Sequence, residues 1–199
     1  MRYYNYLNEN IYTIEEINEL IKKDCKYYLS LIGNNAIFTR AISGSISFPF
    51  IKKQTRQDRK SRGMMKNVFN DFNDWLKMKK HVERDKAVIA SSLETKETTR
   101  FGNNYYLFPI GKFNYTYAET NDINLYDYDT RWYASAVKDF VTYNETDLPK
   151  PFESYFHTNK NINVAYNNNY EIWFDCKEYY IASISNYIWD KSRHKLVSK

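Results

Sequence analysis

Three short stretches of this 199-residue chain carry side chains able to do chemistry together. The first holds Arg40, in the middle of Ala36-Ile37-Phe38-Thr39-Arg40-Ala41-Ile42. A guanidinium in an apolar run is costly to bury without an anion beside it, so an anionic ligand or a fixed carboxylate belongs near it. The second is Ser91-Ser92, two hydroxyls that close the apolar run Ala87-Val88-Ile89-Ala90; a polar segment ending in Arg100-Phe101-Gly102 follows, then the β-rich Tyr105-Tyr106-Leu107-Phe108-Pro109-Ile110-Gly111. The third is Glu171 in Tyr170-Glu171-Ile172-Trp173-Phe174. Alternation along a strand sets Glu171 and Trp173 on the face opposite Ile172 and Phe174. With the wholly apolar side on the core, Glu171 faces a cleft or solvent.

Other chemistries find little support. The Walker and dinucleotide-binding glycine patterns are absent, and the chain has five glycines in all. His81, His157 and His194 lie far apart without ligand spacing, which disfavours a metal site or a histidine-based triad and places them at surfaces or helix ends. Two distant cysteines, Cys25 and Cys176, encode neither a disulfide framework nor a zinc site and fit a reducing compartment. A basic run of Lys52, Lys53, Arg56, Arg59, Lys60, Arg62 and Lys66, relieved only by Asp58, has no apolar period and is expected to be a loop. It suits either a solvated mobile segment or a clamp on phosphates, in which Arg56, Arg59 and Arg62 would supply bidentate forks.

The elements that must position these groups can be read in outline. Thr13 and Glu16 form a capping box that opens a helix from about Ile14 to Ile32, ended by Gly33-Asn34-Asn35. Residues 36–42 read as a strand, and Met65, Val68, Phe69, Phe72, Trp75 and Leu76 mark an amphipathic helix from Met64 to about Val82. Phe113 to Tyr117 alternates as a half-buried strand, an acidic loop runs from Glu119 to Asp129, and Arg131 to Tyr143 can form a helix. Tyr170–Phe174 and Tyr179–Ile184 read as a β-hairpin turning at Asp175 to Lys177, and the tail from Lys191 to Lys199 is expected to fray. Twenty tyrosines and twelve phenylalanines favour β-structure and half-wet surfaces, and 199 residues fit one domain.

A formal net charge of +5 tolerates an anionic ligand, an acidic protein or nucleic acid without requiring one. The N-terminus has no apolar signal core and no stretch has bilayer-spanning length, so a soluble, cytoplasmic protein with no membrane partner is expected. Richness in Asn, Lys, Ile and Tyr matches an AT-rich coding source such as a phage, in which case the compartment is the host cytoplasm.

The order of these pieces resembles the arginine, serine, glutamate pattern of ADP-ribosyltransferases. Ile37-Phe38-Thr39-Arg40, the run Thr55-Arg56-Gln57-Asp58-Arg59-Lys60-Ser61-Arg62, and Phe101-Gly102 leading to Phe108-Pro109-Ile110-Gly111 are similar to small phage-encoded members of that fold, over Ile14 to Ile184. The resemblance implies an α+β fold of split, strongly bent β-sheets flanked by helices, with NAD in the cleft as substrate and no metal. It implies that Arg40 meets a phosphate or ribose of NAD, that Ser91, with Ser92 as alternate, orients Glu171, that Glu171 bonds the nicotinamide ribose, and that Phe101 and Trp173 border the ligand. One departure stands out. Members that modify protein side chains have Glu or Gln two residues before the glutamate, where this chain has Asn169. Transfer to protein arginine is thereby put in doubt, while NAD hydrolysis, another acceptor or lost catalysis stay open. The alternative is a non-enzymatic viral protein that binds nucleic acid or a host factor through the basic stretch.

Overall fold

The computed structural model describes residues 12–33, 37–43, 46, 48–57, 66–92, 102–119 and 152–199. Both helices and antiparallel sheets are present, so the α+β class is as expected. The predicted acidic loop beyond Glu119, the Arg131–Tyr143 helix, Phe101, and Arg59 and Arg62 lie outside the described residues.

The N-terminal helix opens as its capping box dictates. The Thr13 hydroxyl accepts from the Glu16 amide at 3.2 Å, and the Glu16 carboxylate accepts from the Thr13 amide at 2.7 Å. Where one helix was expected there are two, α1 (Ile14–Asp24) and α2 (Lys26–Ile32), broken at Cys25. The cause is tertiary: the Asp24 carbonyl accepts from the Gly111 amide at 2.9 Å, and the Asp24 carboxylate accepts from the Tyr180 hydroxyl at 2.7 Å. Ile17, Ile21, Tyr28 and Ile32 form the buried stripe of the pair.

Ten strands follow among the described residues. They are β1 (Thr39–Ile42), β2 (Phe50–Gln54), β3 (Val88–Ala90), β4 (Asn103–Pro109), β5 (Asn114–Ala118), β6 (Phe156–Thr158), β7 (Ile172–Asp175), β8 (Glu178–Ser183), β9 (Tyr187–Asp190) and β10 (Lys195–Ser198). Two four-stranded sheets have the orders β1-β4-β8-β2 and β3-β7-β5-β6, and β9 and β10 form a separate hairpin. A bridge between Thr39 and Ser91 links β1 of the first sheet to the end of β3 in the second.

Several expectations are corrected. The basic run is not wholly a loop, because Phe50–Gln54 pairs with β8 as an edge strand. Lysine is compatible with such an edge, where its stem can lie on apolar surface while its ammonium reaches water. β7 and β8 are not a hairpin: β7 lies between β3 and β5, and β8 between β4 and β2. Asp175-Cys176-Lys177 lacks the Gly or Asn of a tight hairpin turn, and the chain uses it to cross from one sheet to the other. The tail is not frayed. β10 pairs with β9, Leu196 is buried, and Asn18 of α1 clasps it by donating to the Leu196 carbonyl at 2.9 Å and accepting from the Leu196 amide at 2.7 Å.

The second sheet is covered on both faces. Val88, Ala90, Tyr115, Tyr117, Ile172 and Phe174 join the main core with Tyr28 and Phe38, where Phe174 meets both rings edge-on. On the opposite face Trp173, Ala118 and Phe156 pack with Phe72, Trp75 and Leu76 of α3 (Lys66–Met78). α3 is shorter than expected: Lys79-Lys80 forms a turn, with Lys80 at a φ of 61°. A 3-10 turn, η1 (Arg84–Lys86), leads into β3, and a further short helix, α4 (Ile162–Asn167), precedes β7. At the start of β4, Gly102 has a φ of 127°, and a Cβ there would come within 2.1 Å of the Ile42 carbonyl oxygen; only glycine lets β4 begin this close to β1.

Candidate functional site

β3 runs antiparallel to β7 with Val88 opposite Phe174, Ile89 opposite Trp173 and Ala90 opposite Ile172. Continuing that register by one residue sets Ser91 opposite Glu171, where facing residues in an antiparallel pair stand about 4.5–5.5 Å apart at Cα. On its other side Ser91 exchanges both backbone hydrogen bonds with Thr39, at 2.8 and 3.0 Å, and its carbonyl also accepts from the Thr39 hydroxyl at 3.3 Å. Arg40 is the next residue, and its Nη1 donates to the Ile89 carbonyl at 3.0 Å. The three residues chosen from the sequence are therefore close along the backbone of β1, β3 and the entry to β7, while Arg40 turns to the Ile89 carbonyl and the Tyr179 ring and Glu171 turns to Arg84.

Their environments differ. Arg40 is half-buried, its Cζ lies 5.9 Å from the centroid of the Tyr179 ring, and its Nε is buried with no hydrogen-bond partner among the described residues. Lys53 of β2 lies directly across from Tyr179. Burial, and then the charge of Arg40, pull the Lys53 ammonium below its ordinary range. Neither cation forms an ion pair among the described residues. A half-buried guanidinium and ammonium beside one aromatic face make a seat for an anion.

Glu171 faces neither the open cleft nor the solvent expected of it. It is 4% exposed, and its two oxygens accept from Nε and Nη2 of Arg84 at 2.9 and 3.2 Å; Arg84 itself is 2% exposed. The expectation failed because the Glu171–Trp173 face is not a wet face: α3 and η1 cover it. Trp173 is fully buried against Phe156 and gives its indole N–H to the Val82 carbonyl, so its ring borders the α3 core and not an open ligand surface.

Ser92 is also buried, and its hydroxyl donates to Oδ1 of Asn169. Asn169 has a φ of 58°, the left-handed conformation that Asn tolerates better than Glu or Gln. The residue two before Glu171 is thus fixed by the turn that ends α4 and by Ser92.

Arg84 was missed by the sequence reading. It lies in Glu83-Arg84-Asp85-Lys86, which by charge alone reads as a solvated turn. Its mount is firm. The Asp85 amide donates to Asn73 Oδ1 of α3 at 3.1 Å, Asn73 in turn donates to the Phe69 carbonyl at 2.8 Å, and the Val82 amide donates to the Thr116 hydroxyl at 2.9 Å.

One histidine sits on this face and another on the opposite one, beside Tyr117. His81 packs between Trp75 and Phe156, its Nδ1 2.7 Å from the Thr158 hydroxyl, and burial lowers its pKa. His157 pairs with Glu119 at 2.7 Å. A polar cavity of about 470 Å³ lies where β4 begins and β8 ends, lined by Asn103, Asn104, Tyr105, Ser183, Asn186 and Lys199 among others, and Tyr105 is the residue paired with Arg40. Among the described residues no cluster of His, Cys, Asp and Glu could hold a metal ion, and no helix is long and apolar enough to cross a membrane. Arg56 is exposed beyond the end of β2, and Lys52 pairs with Glu178 at 2.8 Å.

Comparison of the chain with protein-family models, curated proteins and solved structures finds no match in any of the three.

Proposed function

We propose that this chain is an NAD-consuming, ADP-ribosyltransferase-like enzyme in which Arg40, Ser91 and Glu171 act on one ligand. The observation that carries the reading is the adjacency of the strand positions of these three residues, 131 positions apart at their extremes, where β1 bridges to the end of β3 and β3 pairs with β7. The anion seat at Arg40, Tyr179 and Lys53 supports a diphosphate-bearing ligand.

In this reading the bond between ribose C1′ and the nicotinamide nitrogen breaks, and its electron pair leaves with neutral nicotinamide. The ribose takes on oxocarbenium character and is captured by water or another acceptor, which gives up a proton. The Glu171 carboxylate bonds a ribose hydroxyl and stabilises the positive charge more in the transition state than in the ground state, an effect worth about 3 kcal/mol. Ser91, across from it, orients that carboxylate. Arg40 holds a phosphate, with Phe101 as a further ligand-side position, while Ser92, buried and bonded to Asn169, holds the turn before Glu171. Arg56, Arg59 and Arg62 would contact the acceptor or a phosphate. Asn169 supplies no second carboxylate, which favours hydrolysis or a non-arginine acceptor.

The test is nicotinamide release from NAD, with host extract as acceptor source. Wild-type protein is expected to release nicotinamide, Glu171→Gln to abolish release, and Ser91→Ala to lower kcat about 10²–10³-fold while the protein stays folded. Wild-type protein that neither binds nor cleaves NAD ends the reading.

A second reading, a non-enzymatic viral protein that binds nucleic acid or an acidic host factor, draws on the edge position of β2, which carries Lys52 and Lys53 and leads to exposed Arg56. The sequestration of Glu171 by Arg84 also favours it.

A further inference from the structure

Arg84 and Glu171 form the most deeply buried ion pair among the described residues, with side chains 3% and 6% exposed. Such a pair is a poor device for stability, because well-packed apolar residues of the same volume commonly do as well or better. Its place at the strand end next to Ser91 points to another use. The guanidinium is carried by η1, whose surroundings are tied to α3 through Asn73 and to β5 through Thr116, so the fork is presented from a fixed mount. The two bonds hold both carboxylate oxygens in the plane of the guanidinium fork.

We infer that Arg84 is a positioning residue for Glu171: its bidentate fork fixes the plane of the carboxylate at the strand end it shares with Ser91. The inference rests on the NAD-cleaving reading. Lysine cannot replace it, since a point charge on a flexible stem does not set the plane of a carboxylate.

The experiment compares wild type, Arg84→Lys and Arg84→Ala for NAD cleavage and melting temperature, with and without low-millimolar guanidinium or ammonium chloride. Folded variants are expected to lose about 10- to 100-fold in kcat with little change in the KM for NAD, the loss typical of residues that orient an active group. Guanidinium, and not ammonium, restores part of the kcat of Arg84→Ala. A folded variant with wild-type kcat, or with only KM changed, overturns the inference while the enzyme reading stands. If both variants fail to fold, Asn73→Ala loosens the mount without touching the pair, and an unchanged kcat there overturns it equally. Wild-type protein that cleaves no NAD ends the enzyme reading. Melting then decides separately whether Arg84 holds the carboxylate: a guanidinium-specific rise in Arg84→Ala that vanishes in Arg84→Ala/Glu171→Gln supports the hold, and no such rise overturns it.

Discussion

Arg84 and Glu171 also make a statement about stability. Each is costly to leave alone: removing one partner strands a buried charge, whereas replacing both with apolar side chains removes the desolvation penalty together with the attraction. Glu171→Leu with Arg84 intact is expected to lower the unfolding free energy by about 3–5 kcal/mol, and Arg84→Met/Glu171→Leu to recover most of that loss, read by urea denaturation. His81 gives a pH signature. Its pKa is lowered chiefly by burial, Glu153 opposing and His157 and Lys79 adding to the shift, so the native state resists a proton that the unfolded chain accepts near the ordinary value of 6.5. Its contribution is therefore intact above pH 6.5 and is lost progressively as pH falls below it. His81→Gln should flatten the decline of stability between about pH 7 and pH 5 relative to wild type. Burial also pushes the Cys176 thiol up to about 12 and the Cys25 thiol higher still, so both stay protonated and inert near neutrality.

Local codes at the level of elements were readable where they close on themselves. The Thr13–Glu16 capping box needs only neighbouring residues, and the α3 stripe Phe69, Phe72, Trp75 and Leu76 is buried as its spacing implies. The codes failed where a distant partner outbid them. Gly111 draws away the Asp24 carbonyl and splits the first helix, and β8 recruits the lysine-bearing Phe50–Gln54 as a strand. The C-terminal tail shows the same effect: its basic composition hides Leu196, 1% exposed and clasped by Asn18. Leu196→Ala is expected to destabilise by about 2–5 kcal/mol, against no measurable change for a frayed tail, with the midpoint of chemical denaturation as the readout.

For the molecule as a whole, the net charge of +5 and the edge strand bearing Lys52 and Lys53 keep a polyanionic partner in play beside NAD. The two differ in salt dependence. If the basic stretch binds nucleic acid, affinity should fall steeply between low and physiological ionic strength, and removing the charges of Arg56, Arg59 and Arg62 should reduce the slope of log K against log salt by about 0.7–0.9 for each phosphate left without its cation. Fluorescence anisotropy over a salt series measures it, and a flat or absent response counts against nucleic acid as the partner.

The sequence by itself determined the capped first helix and the apolar stripe of α3, which depend on residue type and short-range period; the α+β class and the grouping of Arg40, Ser91 and Glu171 were implied by the resemblance. Only the tertiary structure decided that β7 and β8 belong to different sheets, which brings Glu171 beside Ser91 and carries Tyr179 over to Arg40. It also decided that Glu171 is paired with Arg84 in the interior instead of open to a cleft. Alternation reports which residues share a face of a strand. Whether that face meets water or a helix depends on what packs against it, and here α3 and η1 cover it and supply the counter-charge.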